Sequence, residues 1–184
     1  LRIGNNNIIR VHVQIHRGTA AGSSTVIGDN NFLMATAHVG HNCRLGSNVI
    51  LANGALLGGY VQVGDNVFIS GNCVVHQFVR IGAYALMRGL SGTSRDVPPF
   101  AIIDWQHTVR GVNVVGLKRA GFDEPRIREI REAFRILFRK ERNLALAVKE
   151  VEESNKASQD VVTLLDFIKT SKRGVCFGAR GSRL

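Results

Sequence analysis

Cysteine, proline and aromatic residues are all scarce in this chain. The three cysteines, at positions 43, 73 and 176, form no CxxC pair, which argues against a disulfide framework and against a zinc ribbon. Aromatic residues make up 7%, and three prolines stand against twenty glycines, a balance that favours tight backbone bends over a large aromatic core. The glycines follow no Gly-X-Y period, so collagen is excluded. No uninterrupted apolar run reaches the roughly 18 residues of a membrane span, and no basic and apolar leader opens the chain. The expectation is a soluble, cytoplasmic protein in a reducing compartment. With 45% hydrophobic residues over 184 positions, the composition is that of a folded chain.

Acids are in deficit, with 14 against 24 Lys and Arg for a formal charge of +10. The excess is spread over both halves, apart from a tail of five bases and no acids between Lys169 and Arg183. No aromatic and basic platform or nucleic-acid motif accompanies it, so nucleic acid is not the expected partner. Diphosphates or an acidic carrier protein suit the same charge.

What the sequence does have is a period of six. Every sixth residue from Ile3 to Met87 is a large aliphatic in fourteen of fifteen positions, Ala21 being the exception. Four residues after each aliphatic stands a column of small residues, among them Ala37, Cys43, Val49, Ala55 and Cys73. Helical spacing and simple alternation both fail to describe this segment, whereas a β-helix of three hexads per 18-residue coil does. Residues 3 to about 92 are expected to build five coils stacked about 4.8 Å apart. Glycine after the aliphatic, as at Gly40 and Gly58, and nearby Asn and Asp are read as corner residues with left-handed backbone. The Gly/Ser/Thr stretch at 18–25 is expected to bulge outward. Leu1 enters in phase without an initiating Met, which reads as a chain whose earlier coils are missing.

The repeat stops near Pro98 and Pro99, which cannot serve a continuing ladder. Apolar residues at helical spacing between Glu124 and Arg139 predict a helix, started by Asp123 and Pro125. Two more are expected near 144–153 and 160–170, the last capped by Asp160, and the final segment from Arg173 reads as unstructured. The chain divides into a left-handed parallel β-helix domain (1–100), a connecting segment (101–122) and a small C-terminal α-helical domain with a basic tail (123–184).

Residues 18 apart stack in such a solenoid, so His41, Gly59 and Gln77 form one column, with His41 about 5 Å from the Gly59 backbone. A base beside an uncrowded peptide N–H is the minimum equipment for acyl transfer. The base takes a proton from the attacking hydroxyl, and the N–H holds the oxyanion. His76 lies nearly two coils from His41, about 10 Å along the axis, so the two meet on a small group only across a subunit interface. Cys43 and Cys73 read as interior packing residues.

The ordered motifs HVGHNC, LANGALLGG, VVHQF, SRDVPPF and GVNVVGLKRAGF resemble those of the UDP-N-acetylglucosamine acyltransferases of lipid A biosynthesis, over nearly the whole chain. The resemblance implies a homotrimer of left-handed β-helices that moves a 3-hydroxyacyl chain from acyl carrier protein to the 3-hydroxyl of UDP-N-acetylglucosamine, with no cofactor and no metal. It implies His41 as general base, the Gly59 amide as oxyanion donor, and His38, His76 and Gln77 lining the cleft. Asn113 and Arg119 take nucleotide-facing positions, and Gly89 the floor of the acyl groove. The chain departs from the family pattern at Asn42, Tyr60 and Val115, where Asp, His and Glu are usual. The alternatives are a zinc hydratase of the gamma carbonic anhydrase type and an inactive fragment that only assembles or binds carrier protein.

Overall fold

A computed structural model describes residues 1–138, 143–154 and 158–178. Two-residue strands recur along the first half of the chain and stack into three faces of a prism. The first face comprises β1 (Arg2–Ile3), β4 (Val26–Ile27), β7 (Arg44–Leu45), β10 (Gln62–Val63) and β13 (Arg80–Ile81). The second comprises β2 (Ile8–Ile9), β5 (Phe32–Leu33), β8 (Ile50–Leu51), β11 (Phe68–Ile69) and β14 (Leu86–Met87). The third comprises β3 (Gln14–Ile15), β6 (His38–Val39), β9 (Leu56–Leu57), β12 (Val74–Val75) and β15 (Gly92–Thr93). All these pairs are parallel and mostly 18 residues apart, as in Gln62↔Arg80 and Val74↔Gly92. The architecture is a left-handed parallel β-helix followed by a few helices.

Both apolar columns face inward, and Leu33, Leu51, Leu57, Ala37, Cys43 and Ala55 are fully buried. Across the first coil boundary the spacing is 24 residues, as in Arg2↔Val26, because the chain between β3 and β4 carries extra residues within the 18–25 stretch expected to bulge. At the corners the left-handed backbone falls on asparagines as expected, at Asn6, Asn30 and Asn66, but not on Gly40 or Gly58. Positive φ falls on the residue three after each aliphatic, which includes Thr36, Asn42, Tyr60, Phe78, Tyr84 and Leu90. The glycines directly after the aliphatics do not carry it. Close approach between coils requires them instead: a Cβ on Gly58 would stand 2.6 Å from Gln77 N, and one on Gly82 would stand 2.4 Å from Pro99 N.

Beyond Pro99, β16 (Ala101–Ile103) adds to the second face beside β14, and β17 (Thr108–Val112) turns back antiparallel on it. A six-residue helix that the sequence reading lacked, α1 (Val114–Arg119), follows. Three helices then match expectation: α2 (Glu124–Leu137), α3 (Leu144–Glu153) and α4 (Gln159–Lys169). Asp123 caps α2 by accepting from Arg126 N. Asp160 does not cap α4: Ser158 holds that position, and the Asp160 carboxylate takes a two-pronged bond from Arg126 at 2.9 and 3.0 Å. Within the segment read as unstructured, residues 173–178 are ordered. There β18 (Phe177–Gly178) pairs with β17, and Val175 and Cys176 are buried. Residues 179–184 lie outside the described residues.

Candidate active site

The third face and the corner that follows it carry the chemistry. At the turn after β6, the His41 ring lies directly over Gly59 in the next coil. A Cβ on Gly59 would stand 2.6 Å from His41 Cε1 and 2.7 Å from Nε2. The glycine is therefore what lets the imidazole lie against the backbone. Gly40 clears the same space from the other side, since its Cβ would fall 2.8 Å from Gly59 N. Among the described residues the Gly59 N–H has no hydrogen-bond acceptor, as an oxyanion donor requires. The sequence reading did not single out Gly40.

Asn42 follows His41 directly on the same corner. Its Oδ1 lies 3.0 Å from His41 Nδ1, so it accepts from Nδ1–H and leaves Nε2 as the proton acceptor. The same oxygen accepts from Thr19 N (3.3 Å) and Thr19 Oγ1 (3.1 Å), and the Asn42 backbone N–H donates to Thr25 Oγ1 at 2.8 Å. Both threonines belong to the outward loop. The loop thus fixes the amide that orients the base, a role that no spacing rule foretells. On the other side Tyr60 meets the His41 ring edge-on, with centroids 5.3 Å apart, and stacks on Phe78 at 4.8 Å.

His38 points outward from β6 beside His16, with ring centroids 4.8 Å apart, and its Nδ1 lies 3.2 Å from Gln14 Oε1. Burial first, and the neighbouring His16 second, hold the His38 imidazole below the ordinary histidine range. His16 joins the site here, although the sequence reading gave it no role. His76 and Gln77 are exposed on the same corner two coils higher, and Arg173 Nη2 donates toward His76 Nδ1 at 3.3 Å.

Gly89 is exposed in the turn after β14, where an added Cβ would meet only Gly71 O, at 3.6 Å. Arg88 beside it is tied to Asp104 at 2.8 Å. Asn113 is 5% exposed and fully engaged: its oxygen accepts from Gly116 N to start α1, and its Nδ2 donates to Tyr84 O. Arg119 stands exposed in the last turn of α1. The three cysteines are buried, and burial pushes the Cys43 and Cys176 thiols up to about 11, which removes them as nucleophiles near neutral pH. Among the described residues no three His, Cys, Asp or Glu side chains converge as a metal site would require.

Within the hexad coils, residues 24–59 match the bacterial transferase hexapeptide family. Residues 96–176 match the second domain of the UDP N-acetylglucosamine O-acyltransferases. The chain belongs to that family. It is 52% identical over 177 residues to the acyl-(acyl-carrier-protein)-UDP-N-acetylglucosamine O-acyltransferase of Sulfurihydrogenibium sp., covering 95% of this chain and 65% of that protein. Against the enzyme of the same name from Thermodesulfovibrio yellowstonii the identity is 47%, covering 96% and 69%. The chain therefore spans about two thirds of these relatives. Among solved structures, the UDP-N-acetylglucosamine acyltransferase from Campylobacter jejuni superposes with a TM-score of 0.90 at 39% identity, covering 97% of this chain and 70% of that one. The Arabidopsis enzyme gives 0.90 at 37%, covering 95% and 64%.

Proposed function

We propose that the chain transfers a 3-hydroxyacyl group from acyl carrier protein to the 3-hydroxyl of UDP-N-acetylglucosamine, the first step of lipid A biosynthesis, as a cytoplasmic homotrimer. The observation that carries this reading is the His41 imidazole lying against the Gly59 amide, with Asn42 holding Nδ1. His41 Nε2 takes the proton of the sugar hydroxyl as that oxygen attacks the thioester carbonyl. The Gly59 N–H holds the oxyanion, which collapses to the ester as the carrier thiolate leaves and is reprotonated. The catalytic pair is His41 and Gly59. His38, His76, Gln77, Asn113 and Arg119 bind substrate, Asn113 through the backbone it organises. Gly89 marks the floor of the acyl groove, where the absence of a side chain leaves room for a long hydrocarbon.

The test is the product mass after incubation with 3-hydroxyacyl carrier protein and UDP-N-acetylglucosamine. An acylated UDP-sugar is expected from the wild-type chain. His41→Ala is expected to lower its rate by about 10² to 10⁴ while UDP-sugar binding persists. A variant retaining half of wild-type turnover would remove His41 from the role of base.

A further inference from the structure

Residues 171–178 of the basic tail run beside the corner that carries His76. Its course is fixed by Asp96, which is 1% exposed and whose carboxylate accepts from Arg80 Nε (3.0 Å), Arg80 N (2.9 Å) and Ser171 Oγ (2.8 Å). Backbone bonds finish the attachment: Asp96 N donates to Gly174 O, and Cys176 N donates to Asp96 O. Gly174 takes φ +74 to make the turn, a conformation for which glycine is suited. Arg173 is thereby held between two anchored positions, with its Nε donating to Ser94 O at 3.0 Å and its Nη2 reaching His76. Arg95 lies on the other side of the tail, its guanidinium 5.7 Å from the Phe177 ring centroid.

Arg173 thus meets the His76 imidazole on one side of the tail, and Arg95 stands on the other, beside Phe177. Among the described residues no carboxylate lies within ion-pair distance of Arg95 or Arg173. The neighbouring acid, Asp96, is already engaged by Arg80 and Ser171. The field is felt locally: burial first and Arg95 second lower the pKa of His107. Preorganised cations without counter-ions, one of them with its fork partly fixed, are the equipment for binding an anionic oxygen acid.

We infer that Arg173 and His76, in the added field of Arg95, form a subsite for an organic phosphate. The inference rests on the proposed function, because both proposed substrates carry phosphate: the diphosphate of the sugar nucleotide and the phosphodiester of the carrier's phosphopantetheine arm. Nearly two coils separate His76 from His41, about 10 Å along the axis. A phosphate held there leaves the reactive end of either substrate free to reach the base.

The experiment is titration calorimetry on the full chain with two probes, UDP and 4′-phosphopantetheine, alongside turnover and thermal midpoints. Arg173→Ala is expected to weaken one probe by about tenfold to a hundredfold, the usual effect of losing a charge-assisted bond. Arg173→Lys, which keeps the charge and loses the fork, is expected to fall between. Loss confined to UDP assigns the subsite to the sugar nucleotide, and loss confined to phosphopantetheine assigns it to the donor. Should Arg173→Ala fail to fold, Arg173→Lys and Arg95→Gln carry the same comparison. Unchanged affinity for both probes in folded variants, with an active wild type, overturns the subsite alone. An inactive wild type that binds neither probe overturns the subsite and the proposed function together.

Discussion

His41 touches Gly59 closely enough that a single methyl group decides the geometry. Gly59→Ala places its Cβ within 2.7 Å of the ring, and the ring, as a side chain on a surface corner, swings away more easily than the backbone moves. Stability is expected to hold within about 1 kcal/mol, while kcat falls about a hundredfold through misplacement of the base. Denaturant melts and steady-state rates separate the two effects, and an unchanged kcat would show that the base acts from elsewhere. The same scale applies to the histidine pair. His38 titrates below the usual range because of burial first and His16 second. His16→Gln removes only the like-charge cause, so the His38 midpoint is expected to rise part of the way back, as read by its NMR ring signals. A midpoint that does not move would assign the whole shift to burial.

The outward loop is an element with two separable roles. It inserts six residues into the 18-residue register without disturbing the ladder, since β1 still pairs with β4. It also sends Thr19 to Asn42. Excising residues 18–23 restores the ordinary register, so the coils are expected to form as before. The His41–Asn42 pair then loses its brace, and turnover is expected to drop about tenfold, the worth of one or two hydrogen bonds. Circular dichroism with a rate assay checks both halves, and full activity would deny the loop its orienting role. The hexad made the coils and the His41–Gly59 stack legible in the sequence, because 18-residue arithmetic places those residues together. It could not show the Thr19 brace, which comes from residues that leave the period. Nor could it show the tail strand: β18 pairs with β17, about 70 positions earlier, through two residues with no periodic signal. Likewise α1, six residues started by the Asn113 side chain, is too short to announce itself by periodicity.

The whole molecule presents one face unlike the others. Leu56, Val74, Phe78 and Leu90, all on the third face or the corners beside it, are 42%, 52%, 50% and 68% exposed. A stripe of this kind on a folded chain calls for a covering surface, and a second and third copy of the chain supply it in the proposed trimer. Val74→Arg is expected to convert a threefold mass in sedimentation velocity to a single one, with turnover falling in step. A wild-type monomer at micromolar concentration would exclude the assembly.

Asp96 and the tail strand seal the upper end of the coils. In a solenoid each coil touches only its neighbours, so loosening this cover frees Arg95 and Arg173 first and reaches His41, three coils below, last.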